Sequence, residues 1–366
     1  MKVCVTGATG FLGAHVAAAL ARAGHDVRVT VRRRDRLAAL AGIDAEVVEA
    51  NVLDRRSMRR ALQGCELLFH TAGLVASRPP RDVWRVNAVA PRIAVELAAQ
   101  EGLRRVVVTS SVGAIGPANG NRPADERQAY PEPGSGLLYP DAKHEGEIAA
   151  LSAGERLGVD VVAVNPSYVL GAAHNRSLPG ETSTRIVGNY LRGRLPAVVD
   201  SHANIVDVAD VARGHLLAAT KGKAGERYIL GGENLRWSGV IDRVARLSGV
   251  HNPVLVLPPE ITRAAALLKR AGLPFTLLEG IRLMAPDWRY SSAKAKRELG
   301  YRPRGADETI ARTVDWYMEL IEDDRFPTPS SRTFGLMSGS VRLASRLGLL
   351  LPLKMAGQIA RRRTVV

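Results

Sequence analysis

A glycine-rich turn near the N terminus constrains the fold of this chain more than any other feature. Residues 3–5 are compact and β-favouring, which predicts a buried strand, and the Ala-rich run 15–23 after the turn has helical spacing. Three glycines lie in the turn at three-residue intervals: Gly7, Gly10 and Gly13. Gly24 ends the helix and residues 26–31 supply a second strand, which completes a β-α-β unit in about 30 residues.

Each glycine of the turn has its own physical reason. Gly7 permits the tight turn, Gly10 lets the backbone approach a pyrophosphate, and Gly13 lets the helix lie against the strand. The phosphate would lie at the helix N terminus, where free N–H groups and the helix dipole favour an anion. A glycine turn without a ligand is the alternative, but the flanking strand and helix favour a dinucleotide site.

The rest of the chain predicts an α/β fold, a Rossmann-type doubly wound parallel sheet with a smaller C-terminal substrate-binding lobe. Apolar runs alternate with helical stretches, as such a sheet requires. The predicted strands are 45–49, 67–70, 106–109, 159–164, 205–208 and 228–230, and the predicted helices are 54–62, 83–101, 139–157, 238–248, 259–271 and 308–322. Pro91 implies a kink or a late start of its helix.

The same pattern predicts three parts of the chain. Residues 1–165 form the dinucleotide-binding domain, and residues 166–325 form mainly the substrate-binding lobe, with some segments returning to the sheet. Residues 328–331 are typical of a linker into a basic tail, 326–366. At 366 residues and 46% hydrophobic composition, the chain is large enough for one α/β core and a lobe.

The net charge of +15 does not indicate a nucleic-acid partner. From Phe326 onward there are seven basic residues and no acidic ones, so nearly half of the excess lies in the tail. No zinc-finger, helix-turn-helix or aromatic RNA-binding pattern occurs. We therefore expect the charge of the body to form a solvated face that helps to attract a phosphorylated cofactor. Cys4 and Cys65 lack metal-ligand spacing, so we expect no metal site and a reducing, cytoplasmic location.

The tail leaves two alternatives open. Residues 341–355 mix six leucines with basic residues, and Arg361, Arg362 and Arg363 follow. This basic amphipathic composition fits peripheral contact with an anionic membrane. It also fits a helix that packs on its own core or on a partner subunit, and Pro352 would kink any helix there.

A tyrosine and a lysine four residues apart form the second decisive motif. Tyr139 and Lys143 share one face of the helix predicted after the fifth strand, and Pro140 is tolerated in a first helical turn. An ammonium beside a phenol favours the phenolate, so we expect the pKa of Tyr139 to fall toward working pH. This pair therefore predicts acid–base catalysis.

Arginine follows the second strand, where a dinucleotide-binding fold often has an acidic residue for the adenosine ribose. Arg32 is able to pair with a 2′-phosphate instead, which predicts a preference for NADP over NAD. A solvated basic loop is the alternative, because Arg33 and Arg34 follow directly.

The TGxxGxxG turn, which begins at Thr6, resembles that of the short-chain dehydrogenase/reductase superfamily. The segment ATGFLG, residues 8–13, resembles the extended branch of that superfamily. The resemblance implies that Ser111 holds the substrate carbonyl oxygen, with Ser110 as the alternative, that Tyr139 donates the proton, and that Lys143 binds the nicotinamide ribose. The implied cofactor contacts are Gly7, Thr9, Gly10, Phe11, Leu12, Gly13, Arg32, Asn51, Val52, Thr71, Ala72, Gly73, Asn87, Thr109, Tyr139, Lys143, Pro166 and Ser167. Asn51 stands where the family commonly has Asp.

The resemblance narrows the activity to two candidates. An NADP(H)-dependent oxidoreductase that interconverts a ketone or aldehyde and an alcohol is the first, and an NAD-dependent nucleotide-sugar epimerase is the alternative. Residues 206–212 and 291–301 resemble stretches shared by dihydroflavonol-reductase-like proteins, 3β-hydroxysteroid dehydrogenases and hopanoid-associated sugar epimerases. Residues 225–234 look closest to the last of these. Dehydration is disfavoured, because Val112 and Gly113 stand where sugar-nucleotide dehydratases have an acidic pair. Family habit implies a homodimer.

Overall fold

A seven-stranded parallel sheet forms the centre of the protein. The computed structural model describes residues 1–75, 79–179, 183–260, 282–326, 332–350 and 364–365. Its strands are β1 (Lys2–Thr6), β2 (Asp26–Val31), β3 (Glu46–Glu49), β4 (Leu67–His70), β5 (Arg105–Thr109), β6 (Asp160–Pro166), β7 (Tyr168–Leu170), β8 (Ala197–Val199), β9 (His202–Asp207), β10 (Arg227–Leu230), β11 (Glu233–Arg236) and β12 (Leu255–Leu257). The order across the central sheet is β10-β6-β5-β4-β1-β2-β3, and every pair in it is parallel.

Helices follow most of these strands, as the alternation in the sequence predicts. They are α1 (Phe11–Arg22), α2 (Arg55–Leu62), α3 (Arg81–Trp84), α4 (Ala90–Gln100), α5 (Leu138–Leu157), α6 (Arg185–Leu191), α7 (Val208–Lys221), α8 (Trp237–Ser248), α9 (Ala293–Leu299), α10 (Ala306–Glu322) and α11 (Arg332–Arg346). The predicted helix 83–101 is divided, because a π turn at Arg85–Val89 joins α3 to α4 and Pro91 lies in the first turn of α4. This is the late start that Pro91 implies.

The central sheet is buried on both faces. Successive side chains of a strand point to opposite faces, so Val3 and Val5 pack toward α1 and α7, whereas Cys4 packs toward α2, α4 and α5. Both faces are therefore apolar, which is why the strands appear as continuous hydrophobic runs in the sequence. Cys4 and Cys65 are both buried and free.

A second core belongs to the lobe. Two small sheets, β11-β9-β7 and β12-β8, pack with α6, α8 and α10 around large aromatic side chains. β10 lies in the central sheet although its residues come late in the chain, so a segment of the second half does return to the sheet. Three predicted features lie outside the described residues: most of the helix 259–271, the linker 328–331 and the tail between 351 and 363.

Candidate active site

One cleft of about 730 Å³ lies at the carboxyl ends of the central strands and continues toward the lobe. In parallel α/β sheets, this edge is where ligands bind. Every predicted site residue except Asn87 lines the cleft: Gly7, Thr9, Gly10, Phe11, Leu12, Gly13, Arg32, Asn51, Val52, Thr71, Ala72, Gly73, Thr109, Ser111, Tyr139, Lys143, Pro166 and Ser167. The fold thus brings together residues that are spread over 160 positions of the sequence.

The glycine turn has no space for side chains. Gly7 has a φ of +68°, and a Cβ on Gly13 would lie 2.2 Å from the carbonyl oxygen of Gly7. Gly10 caps α1 without any side-chain hydrogen bond, so the first N–H groups of α1 remain available to an anion.

The loop after β4 crosses directly over this turn. The Thr71 hydroxyl donates to the Thr6 carbonyl oxygen at 2.5 Å, and the Ala72 N–H donates to the Thr6 hydroxyl at 3.3 Å. A Cβ on Gly7 would lie 2.7 Å from the Ala72 Cα. Thr6 therefore fixes the distance between the two backbone segments that border the cleft.

Asn87 lies behind the loop rather than in the cleft. Its side chain is fully buried in the π turn, donates to the Leu74 carbonyl oxygen at 2.6 Å and accepts from the Leu74 N–H at 3.3 Å. Its amide group also donates to the Val83 carbonyl oxygen at 2.8 Å. In this structure Asn87 positions the cleft wall and does not reach the cavity.

Three arginines line the cleft after β2. Arg32 is exposed there, as the sequence predicts, and it is joined by Arg33 and by Arg36, which sequence reasoning did not single out. The four arginines among residues 32–36 were the available signal. The side-chain oxygen of Asn51, just after β3, accepts from the N–H of residue 53 at 3.1 Å and so stabilises its own turn.

Ser111 and Tyr139 lie together in the cleft wall, where their side chains interact. Burial raises the pKa of Tyr139 above its ordinary value, and the hydrogen bond with the Ser111 side chain opposes that rise. The expectation that the Tyr139 pKa falls is therefore wrong. The physical reason is that the cost of burying a phenolate exceeds the help from its surroundings.

Lys143 is buried beside them. Its ammonium donates to the Thr109 carbonyl oxygen at 2.8 Å, and only 6% of the residue is exposed. Burial lowers the pKa of Lys143 to about 8, and the negative charge of Glu147 acts in the opposite direction. Lys143 also leaves little space for a side chain at Gly73 in the loop after β4, since a Cβ there would lie 3.2 Å from the Lys143 Nζ.

A buried network of hydrogen bonds lies behind Ser111 and Lys143, and the sequence analysis did not predict it. Glu147, 2% exposed, accepts from Asn165 Nδ2 at 2.6 Å and from Arg227 Nη1 at 3.1 Å. The Asn165 amide group also donates to the Ser111 carbonyl oxygen at 3.0 Å. The signal in the sequence was the spacing, since Glu147 follows Lys143 by four residues on one helix face.

The lobe side of the cleft is apolar and aromatic. Its lining residues include Tyr168, Val169, Trp237, Leu283, Met284, Trp288 and Tyr290. Among the described residues, the cations that line the cleft are Lys143 and the three arginines after β2, and none comes from the lobe.

The protein itself satisfies most polar groups of these aromatic side chains. The hydroxyl groups of Tyr168 and Tyr290 and the indole N–H of Trp288 donate to backbone carbonyl oxygens. The buried indole N–H of Trp237 differs, because it has no partner in the described part of the chain. The lobe therefore offers a ligand much apolar surface and this one aromatic donor.

The residues present fit a bound dinucleotide. The buried hydroxyl oxygens of Ser110 and Ser167 line the cleft and have no hydrogen-bond partner among the residues that the structure describes. Buried polar groups without partners are rare, and a polar ligand in the cleft would satisfy them. The crowded glycine turn, the uncapped α1 N terminus and the arginines after β2 suit a pyrophosphate and a phosphorylated ribose.

The fold and this cleft define a dinucleotide-binding Rossmann enzyme. A profile described as the NAD dependent epimerase/dehydratase family matches residues 3–231, and the chain belongs to that family. This confirms the resemblance to extended short-chain dehydrogenases/reductases and the expectation of an NAD(P)-dependent oxidoreductase acting on CH–OH groups.

The chain is similar to proteins with different names and activities. Sterol demethylase protein B of Methylococcus capsulatus is 35% identical over 330 residues, which cover 87% of this chain and 99% of the relative. Cinnamoyl-CoA reductase 1 of Oryza sativa is 35% identical over 241 residues, which cover 62% and 70%. A crystal structure of a nucleoside-diphosphate-sugar epimerase from Pseudomonas aeruginosa aligns with a TM-score of 0.75 and 27% identity, covering 89% of this chain and 99% of that one.

Proposed function

We propose that this protein is an NADPH-dependent reductase that converts a lipophilic ketone or aldehyde into an alcohol. The bound dinucleotide supplies the hydride. Tyr139 donates the proton to the substrate oxygen, and Ser111 holds that oxygen by a hydrogen bond. Lys143 binds the nicotinamide ribose and stabilises the charge that remains on Tyr139.

The lobe side of the cleft is the observation that carries this proposal. A nucleotide sugar would bring a diphosphate into that half of the cleft, and a buried diphosphate needs cations or several free donors. The described lobe residues present aromatic and aliphatic surface there, with the indole N–H of Trp237 as a single unpaired aromatic donor. Such a surface suits a large apolar substrate, in line with the sterol in the name of one relative.

Finer features of the proposal rest on other residues. Arg32 and Arg36 support NADP over NAD, because guanidinium groups pair well with a 2′-phosphate. Cys4 and Cys65, buried and free, are compatible with a reducing cytoplasm. We also propose a homodimer, by family habit, and the three-part division of the chain at residues 165 and 325.

A nucleotide-sugar epimerase is the second candidate. The similarity to the Pseudomonas aeruginosa epimerase favours it, since that structure aligns over 89% of this chain. An epimerase returns the hydride to its own substrate and gains from retaining the dinucleotide. A reductase must exchange its cofactor in every turnover.

The two candidates are distinguished by the purified full chain. For a reductase, we expect little dinucleotide to be released on denaturation, and NADPH to be consumed in equal amount with one or more members of a panel of sterol ketones, aryl ketones and aldehydes. Tyr139→Phe is the control for consumption that does not depend on the site. Bound NAD at nearly one per chain, together with interconversion of UDP-sugars without net NADPH loss, would establish the epimerase instead.

A further inference from the structure

Helix α11 is amphipathic in the opposite sense to an ordinary surface helix. Leu336 is 72% exposed, Leu343 59% and Leu347 63%, whereas Ser338 is only 3% exposed. The leucines are seven and four residues apart, so they form one stripe along the helix. The Leu347 N–H donates to the Leu343 carbonyl oxygen at 2.9 Å, so Leu347 continues this helical turn. The apolar stripe (Leu336, Leu343 and Leu347) therefore faces solvent.

The chain that carries the apolar stripe contacts the lobe both before and after α11. Before α11, Phe326 is 2% exposed, and its ring packs edge-on against the ring of Tyr317, with the ring centroids 5.0 Å apart. After it, the carbonyl oxygen of residue 364 accepts from the Val256 N–H at 2.9 Å, and Val365 pairs with Leu255. The leucines are thus presented by a docked segment of the protein.

Charge indicates what covers this stripe. The 41 residues from 326 to 366 contain seven basic residues and no acidic ones, and Arg342 and Arg346 on α11 are both exposed. A second copy meeting this face across a two-fold axis would bring the same arginines toward each other, which is unfavourable. Leucines flanked by arginines instead match the acyl chains and the anionic headgroups of a lipid surface.

We propose that the apolar stripe and its flanking arginines dock the protein peripherally on an anionic lipid surface. Among the residues that the structure describes, every helix is too short or too polar to span a bilayer. This inference goes beyond the reductase activity and stands without it, because it concerns a surface away from the cleft.

The test is co-sedimentation of the full chain with vesicles. One set mixes phosphatidylglycerol with phosphatidylcholine, and the other is phosphatidylcholine alone. The test variant carries Leu336→Ser, Leu343→Ser and Leu347→Ser. The matched control carries three serines at exposed apolar residues on α5 and α10: Ile148→Ser, Leu157→Ser and Met318→Ser, which are 47%, 40% and 39% exposed.

We expect the unaltered chain and the control to sediment with the phosphatidylglycerol vesicles, and less so at high salt. The stripe variant should partition at least ~10-fold less, since it loses most of its buried apolar area, while its melting temperature and NADPH binding stay unchanged. Equal partitioning of the stripe variant and the control overturns the proposal. A dimer of the unaltered chain that the stripe variant loses, seen by light scattering, would assign the stripe to a subunit interface and also overturn it.

Discussion

Glu147→Gln should shift the pH dependence of the proposed reductase toward acid. Lys143 has a pKa of about 8 because burial disfavours its charge, and Glu147 works against that effect. Removal of the carboxylate leaves the burial cost unopposed, so the pKa of Lys143 falls further. The ammonium is then lost at a lower pH, and cofactor binding that needs it is lost with it.

The magnitude follows from the helix. Side chains four residues apart lie about 6 Å from each other, and two unit charges at that distance interact by about 3 kcal/mol at an effective dielectric constant of about 20. One pH unit corresponds to about 1.4 kcal/mol, so the bare pair amounts to about two units. Arg227 also binds Glu147, at 3.1 Å, and shares its charge. We therefore expect a shift of about one unit.

The assay is kcat/KM for NADPH against pH, because this ratio reports groups of the free enzyme. The unaltered chain should lose activity as the pH rises through about 8, and Glu147→Gln should lose it about one unit lower. The other titratable groups around Lys143 titrate elsewhere, since burial raises the pKa of Tyr139 and lowers that of His70 to about 3 and that of His215 to about 4.

Glu145→Gln is the matched control, because Glu145 is an exposed acid on the same helix. It should leave the profile in place. The assignment to Lys143 would be refuted if kcat/KM for NADPH fell at the same alkaline pH in Glu147→Gln and in the unaltered chain. Circular dichroism checks that both proteins are folded.

Four further perturbations test the cleft and the core. Arg32→Ala should raise the KM for NADPH about 10- to 150-fold and leave that for NADH nearly unchanged, since it removes a charge-assisted bond of about 1.5–3 kcal/mol; equal affinity of the unaltered chain for the two cofactors contradicts this. Tyr139→Phe should lower turnover about 100-fold or more while NADPH still binds. The control Tyr130→Phe removes a hydroxyl group that donates to Asp141 and should keep its turnover. Similar turnover rates for the two variants would count against a catalytic role of Tyr139. Gly13→Ala puts a Cβ 2.2 Å from a carbonyl oxygen, which should cost about 1–3 kcal/mol of stability and most NADPH binding, and an unchanged melting temperature contradicts it. Burial lowers the pKa of His215 to about 4, so this side chain stays neutral in the folded protein. The unfolded chain takes up the proton at a higher pH, so this group should lower the free energy of unfolding by up to about 2 kcal/mol as the pH falls from about 7 to about 5. Equal midpoints of urea unfolding at these two pH values would contradict this prediction.

The sequence alone determined the parts of this protein that depend on local geometry. The β1–turn–α1 unit follows from backbone freedom at Gly7 and from apolar spacing, which act over a few residues. The start of α5 follows in the same way, and its spacing of four puts Tyr139 and Lys143 on one face. Because parallel strands end at the same edge of a sheet, the order of the motifs was also enough to bring them into one cleft.

Tertiary packing alone decided the rest, because it depends on segments that are distant in the chain. Glu147 meets Arg227, 80 positions away, only because α5 and β10 both lie beside β6. The same packing raises the pKa of Tyr139, whereas the spacing from Lys143 predicted that this pKa would fall. It also buries Ser338 and exposes Leu343, an orientation that composition does not specify. Burial and its energetic cost are properties of the assembled core, and no local pattern of residues contains them.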